Sequence, residues 1–224
     1  MKTKSEILNN FFTDEEHGVL RELVEINRAL PVGQSRFAPM TIESMSRVQI
    51  EFNLPKIIED KLTDLAKKFI NDPDLILTHY QYLDYYGQYG NGKSPNLPPH
   101  LDVENYYTKI SIDYQMQSNI DWAIVVEGEK FILKDHEILV FEAGERIHWR
   151  DPIKLKEDDR CEVIVFHFSN KQDHEPYKDK QMDLEEREQI LEKHRNMPRM
   201  QKYREEFFKE LDILNRNEEN NGAR

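Results

Sequence analysis

The chain predicts a mainly β fold, a sandwich or barrel flanked by helices, on three grounds. Short apolar segments recur at close spacing between Leu75 and Ser169. Amphipathic helical stripes stand on either side of that region rather than between its strands, so the alternation that builds βαβ units is missing. At 224 residues the chain suits one domain with a sizeable core.

Taken in order, residues 1–72 read as helical support. Thr13 followed by Glu16 is a capping box, and Val19, Leu20, Leu23, Ile26 and Leu30 form one apolar stripe that Pro31 ends. Ile58, Leu62, Leu65 and Phe69 mark a second amphipathic helix, and between the two Val48, Ile50 and Phe52 alternate as in a strand. Residues 75–169 form the strand-rich zone, with strands expected at 75–83, 107–116, 122–126, 130–133, 137–141 and 161–168. The loop at 84–99 carries Tyr85, Tyr86 and Tyr89 among Gly87, Gly90, Gly92, Pro95, Pro98 and Pro99, a composition that suits either a lid or an ordinary solvated loop. Residues 170–215 are charged and helical. There Met200, Tyr203, Phe207, Leu211 and Leu214 recur at helical spacing behind Pro198. That stripe packs either on the outer wall of the barrel or on a second copy of the chain, as a homodimer through this helix. Residues 216–224 are expected to be a disordered tail, and the whole chain, 1–224, is one domain.

The formal net charge is −12, from 31 basic and 43 acidic residues, which disfavours nucleic-acid partners because phosphate binding needs a basic surface. Cys161 is the only cysteine, so there is no internal disulfide and no thiolate cluster, and a reducing compartment is expected. Residues 1–10 lack the apolar stretch of a secretion signal, and no apolar run approaches a membrane span. These features predict a cytoplasmic protein with no membrane partner.

The chemistry is concentrated in His100-Leu101-Asp102 at the head of an expected strand, His148 beyond another, and Arg160 opening the last. In a strand, residues i and i+2 share a face, so His100 and Asp102 can offer imidazole and carboxylate to one ion. A third ligand from a distant strand completes a facial set of two His and one carboxylate, the pattern of non-haem iron(II) oxygenases. His148 fits that role. His136 lies in a polar turn and reads as solvent-exposed, His167 has the opposite parity to Arg160 and is expected to face away from it, and His17, His79, His174 and His194 have no partner pattern.

With these residues, the chain resembles the double-stranded β-helix oxygenases that use iron(II) and 2-oxoglutarate, in the prolyl-4-hydroxylase-like branch of bacterial and phage type. The resemblance also rests on Ile7-Leu8-Asn9-Asn10-Phe11-Phe12-Thr13-Asp14-Glu15-Glu16, Trp122 to Gly128, Phe131 to Leu133, Ile138 to Phe141 and His148-Trp149-Arg150. It implies a jelly-roll core with flanking helices, a metal held by His100, Asp102 and His148, and the cofactors Fe(II), 2-oxoglutarate and O2. It further implies that Arg160 pairs with the distal carboxylate of 2-oxoglutarate, with Lys154 and Lys156 as alternatives. Tyr114 matches a tyrosine that shares that carboxylate. Tyr82 and Tyr85 compete for a further position beside the co-substrate, with Tyr82 preferred. Two departures stand out. Glu162 follows Arg160 at i+2, where an acid opposes a dicarboxylate, and the segment from Gln117 to Trp122 lacks the paired glycines of collagen-type prolyl hydroxylases. The implied reaction is hydroxylation or desaturation of an unactivated C–H bond with release of succinate and CO2. Halogenation is not expected, because halogenating relatives lack the carboxylate that Asp102 supplies. The preferred substrate is a small molecule or free amino acid, ahead of a peptidyl prolyl-type substrate. Two further readings are a cupin-like metalloenzyme, whose His-x-His is missing, and an inactive β-helix binding module.

Overall fold

The computed structural model describes residues 5–32, 37–42, 47–87, 95, 97–102, 107–175 and 184–221. Helix α1 (Asp14–Arg28) begins with the expected capping box: Glu16 N donates to Thr13 Oγ1 at 3.2 Å and Thr13 N donates to Glu16 Oε2 at 2.7 Å. Its buried face is Leu20, Val24 and Asn27, whereas Val19 and Ile26 are 36% and 56% exposed. The apolar stripe is thus rotated from the one the sequence suggests. Helix α2 (Lys56–Ile70) buries Ile58, Leu62 and Ala66 and ends at Asn71 in the left-handed region, with φ of 56°.

These helices cover one face of an antiparallel sheet of seven strands: β1 (Ser5–Asn9), β2 (Met40–Ile42), β3 (Arg47–Ile50), β4 (Leu75–Tyr86), β5 (Ile110–Ser118), β8 (Glu137–Phe141) and β10 (Arg160–Asn170). Their spatial order is β1-β8-β5-β10-β4-β3-β2. A smaller sheet, β7-β6-β9, comprises β6 (Ile124–Val126), β7 (Glu129–Phe131) and β9 (His148–Arg150). The segment 97–102 extends it: His100 and His148 exchange backbone hydrogen bonds at 3.1 and 3.0 Å, and Arg150 N donates to Leu97 O. The two sheets face each other as a double-stranded β-helix, the expected mainly β jelly roll with flanking helices.

Strand ends depart from expectation where periodicity is weakest. β4 runs on through Tyr86, so Asp84, Tyr85 and Tyr86 belong to the sheet rather than to a loop. His100 makes an isolated bridge and does not head a strand; the next strand of the large sheet begins at Ile110. Tyr89, Gly90 and Gly92, the heart of the expected loop, lie outside the described residues. Gly87 is required by packing, since a Cβ there would come within 1.8 Å of Lys156 O.

Strand parity decides what each side chain sees. On β10, β5, β4 and β8, Ile164 and Phe166, Ile112 and Tyr114, Tyr80 and Tyr82, and Ile138 and Val140 point towards α1 and α2. The alternate residues point between the sheets, where Leu139 and Phe141 meet Ile124 and Val126. On the far side of the small sheet, Leu101, Val125, Ile147 and Trp149 point outwards.

That outer surface is covered by the C-terminal region, in which short α3 (Lys171–His174) and α4 (Leu184–Arg195) precede α5 (Pro198–Asn221). Pro198 opens α5, where its missing N–H costs nothing. Met200 and Phe207 are 2% exposed, and the Tyr203 ring lies 4.8 Å from that of Trp149. The apolar stripe therefore packs on the barrel wall, the first of the two readings, and the structure lends no support to a homodimer through this helix. The helix runs to Asn221. Phe207→Ala should lower unfolding free energy by about 3–5 kcal/mol, measured by urea titration, with no change in oligomeric state. A dissociated dimer instead of a destabilised chain would contradict this packing. No described helix is long and apolar enough to cross a membrane.

Candidate metal centre

His100, Asp102 and His148 converge. One donor atom from each lies within 4.8 Å of the others, on the inner face of the small sheet where 97–102 meets β9. His100 Nε2 is 3.5 Å from Asp102 Oδ1, and His148 Nε2 is 3.3 Å from Asp102 Oδ2. The opposite ring nitrogens are occupied: His100 Nδ1 lies 2.8 Å from Pro98 O and His148 Nδ1 lies 3.0 Å from Arg146 O. With Nδ1–H donating to a carbonyl, each neutral imidazole directs the Nε2 lone pair at the cluster. Asp102 is anchored from the backbone, its N–H donating to Ala143 O at 3.1 Å.

The electrostatics suit a cation. Burial favours the neutral form of Asp102, but the surrounding imidazoles of His148, His167 and His100 outweigh it and hold the carboxyl well below its usual range. Burial alone would depress the His148 pKa, yet the Asp102 carboxylate raises it, so a cation at Nε2 competes with a proton. His167 completes the surroundings: its Nε2 is 3.4 Å from Asp102 Oδ2, and burial pushes its pKa down to about 4. Two neutral imidazole nitrogens and one carboxylate, all on one side, form a donor set that fits iron(II) and leaves coordination positions open.

The donors line a cavity of about 280 Å³ whose other walls include Arg47, Tyr85, Asp113, Arg150 and His167. Arg150 is 4% exposed, donates to Trp122 O at 3.1 Å and stacks 4.8 Å from the Trp122 ring centroid. Asp113 accepts from Ser111 Oγ at 2.8 Å; burial raises its pKa, and Arg150 offsets this only in part. Among the described residues no carboxylate lies within ion-pair distance of Arg47 or Arg150.

The co-substrate residues expected from sequence are elsewhere. Arg160 lies on the opposite face of β10 from His167, Val165 and Val163, and so outside the cavity. It grips Asp84 with both Nε (3.0 Å) and Nη2 (2.8 Å) and lies 3.1 Å from Glu162 Oε1. Arg21 reaches Glu162 at 2.5 Å, and Arg28 reaches both Tyr82 Oη at 2.5 Å and Asp84. Arg160, Glu162 and Tyr82 thus form an ionic strut fastening α1 to the sheet. Tyr114 is on the helix-facing side too, its hydroxyl 2.6 Å from His17 Nδ1. Lys154 and Lys156 are exposed and line no part of the cavity. Tyr85, the competitor of Tyr82, does line it. His167, expected to face away from Arg160, does so, and for that reason it faces the cluster. Arg47, Asp113 and Arg150 line the cavity without having been singled out from the sequence, where one signal was available: Arg150 stands at i+2 from His148 and must share its face.

No protein-family model matches the sequence, and no curated protein is similar to it. Solved structures share its architecture. An oxidoreductase of the 2OG-Fe(II) oxygenase family from Burkholderia pseudomallei superposes with a TM-score of 0.53 at 14% identity, covering 74% of this chain and 85% of that one. EctD from S. alaskensis gives 0.58 at 12% identity over 75% and 74% of the two chains. The non-heme alpha ketoglutarate dependent epimerase SnoN from nogalamycin biosynthesis gives 0.53 at 9%, over 75% and 78%. The fold is that of the iron(II) and 2-oxoglutarate oxygenases. Structures of EctD with iron, and with 2-oxoglutarate and 5-hydroxyectoine, show what that protein's version of the oxygenase fold holds.

Proposed function

We propose that the protein is an iron(II)- and 2-oxoglutarate-dependent oxygenase that hydroxylates or desaturates an unactivated C–H bond of a small molecule, releasing succinate and CO2. The observation that carries this reading is the convergence of two Nε2 atoms and one carboxylate within 4.8 Å, inside the oxygenase fold. His100, Asp102 and His148 would hold the iron. With 2-oxoglutarate and O2, the bound metal supplies the oxidising power for attack on the C–H bond.

The chain's own residues do the rest. The Pro98 and Arg146 carbonyls fix the orientation of the two imidazoles, and His167 braces the second oxygen of Asp102. Arg150 is the cation suited to the distal carboxylate of 2-oxoglutarate: it is buried, shares the face and strand of His148, and presents a planar fork. Asp113 lies beside it with its pKa raised by burial, which favours the uncharged form and so eases the repulsion of that carboxylate. Leu83, Ile124, Val163 and Val165 make the apolar wall that keeps water from the reacting centre. The acidic surface charge and the missing glycine pair support a small molecule over a nucleic acid or a collagen-type peptide. Cytoplasmic work, where a lone thiol such as Cys161 stays reduced, accords with a ferrous enzyme.

The test is succinate formation. Protein loaded with Fe(II) under anaerobic conditions, then given 2-oxoglutarate and O2, should release succinate, and a panel of small molecules and prolyl peptides should include compounds that accelerate it. Loaded protein that forms no succinate above free iron would sink the proposal.

A further inference from the structure

The cavity holds two buried arginines, one more than the co-substrate needs. 2-Oxoglutarate brings two carboxylates; the metal takes one, and one guanidinium suffices for the other. Arg150, beside His148 on the small sheet, is placed for that second carboxylate. Arg47 enters from the opposite sheet, on β3, where it pairs in register with Tyr85. It is 9% exposed, and its Nη1 donates to Tyr85 Oη at 3.1 Å. Its Nε is buried with no hydrogen-bond partner among the described residues. Both guanidinium carbons lie 5.8 Å from the Tyr85 ring centroid, so the two cations flank the same side chain.

A buried guanidinium facing a neutral phenol and carrying an unsatisfied N–H is costly unless something anionic completes it. We propose that the substrate of this site carries a carboxylate, and that Arg47 binds it through the guanidinium edge that bears Nε, with the Tyr85 hydroxyl beside it. This rests on the oxygenase reading. The geometry of the donor favours a carboxylate: two adjacent N–H groups in one plane match its two oxygens, and a neutral amide can accept only one such bond while placing its own N–H against the cation. The apolar residues that line the same cavity, Leu83, Ile124, Val163 and Val165, then meet the carbon skeleton, so that the anchored end is the charged one and an aliphatic or aromatic C–H is presented to the oxidant.

Thermal stabilisation of the Mn(II)-loaded protein, which binds without turnover, separates the two levels of the claim. The ligands are 2-oxoglutarate alone, then 2-oxoglutarate with each free L-amino acid and with aliphatic and aryl monocarboxylates, every acid paired with its primary amide. At least one acid should raise Tm further while its amide does not. Arg47→Met should lose that second rise and keep the rise due to 2-oxoglutarate. Where Arg47→Met folds poorly, Arg47→Lys serves: it keeps the charge, loses the fork, and should weaken the acid response about tenfold. Equal responses to acids and amides, or an acid response that survives in both variants, overturn the carboxylate. Loss of the 2-oxoglutarate rise in the Arg47 variants assigns Arg47 to the co-substrate and overturns it as well. If the wild-type protein gains nothing from Mn(II) with 2-oxoglutarate, the oxygenase reading itself fails first.

Discussion

Replacing His100, Asp102 or His148 singly with Ala is expected to abolish 2-oxoglutarate-dependent succinate formation and weaken Fe(II) binding by more than about a hundredfold, since even outer partners of metal ligands are worth tenfold to a hundredfold. The three will not behave alike in the metal-free protein. His148 is buried at 5% exposure and His100 is the more open, its side chain 29% exposed, so removing the His100 ring leaves a gap that solvent can fill. Asp102→Ala removes the carboxylate on which His100, His148 and His167 all converge. Asp102→Asn keeps the shape and hydrogen-bonding reach but loses the charge, and it should bind iron as poorly as Asp102→Ala. His136→Ala is the control; that ring stacks on His17 at 4.0 Å, on the helix-covered side, and its loss should leave turnover unchanged. Iron binding measured by calorimetry, with circular dichroism to confirm the fold, decides the matter. A triad variant that binds iron normally would remove the centre of the proposal.

How far the site could be read in advance was decided by parity. The His-x-Asp spacing and the distant His148 survive as a cluster because i, i+2 geometry holds even for the short bridge at His100. The strands of the jelly roll were legible from their short apolar runs. β1 and β2 were not, since both fall in the zone expected to be helical support, and neither was β9, because a strand running only from His148 to Arg150 leaves no period to detect. The expected co-substrate residues Arg160, Tyr114 and Tyr82 lie off the cavity for a common reason. Tyr114 shares a face with Ile110 and Ile112, and that apolar face is interior to the layer between sheet and helices. The face that meets the metal cluster is the one carrying Ser111, Asp113 and Gln115, whose polar groups look outward-facing in sequence and are nonetheless buried. A sheet covered on both sides has two interiors, and the metal donors and their cavity lie in the one between the two sheets. On β10 the same inversion moved Arg160 out and His167 in.

Arg150→Ala should therefore raise the KM for 2-oxoglutarate by about thirtyfold or more, since truncating one partner of a buried charge pair typically costs 2–5 kcal/mol. Arg150→Lys should recover only part of the loss, because an ammonium keeps the charge but cannot match two carboxylate oxygens. That comparison matters here: Arg150 also stacks on Trp122 and donates to its carbonyl, so an effect of packing alone would appear in both variants and in Tm. Arg160→Ala should do the reverse. Its partners Asp84 and Glu162 are almost fully buried, with side chains 2% and 0% exposed, so losing Arg160 leaves buried acid poorly compensated and lowers Tm by several degrees. The KM for 2-oxoglutarate should stay within about twofold, there being no contact between Arg160 and the cavity. Asp113→Asn completes the set: it cannot carry a negative charge, so 2-oxoglutarate binding should hold or tighten, and a raised KM would mean that the Asp113 carboxyl group itself is needed. A large KM effect from Arg160→Ala together with a silent Arg150→Ala would mean that 2-oxoglutarate enters from the helix-covered face, and the strut joining α1 to the sheet would have to open to admit it.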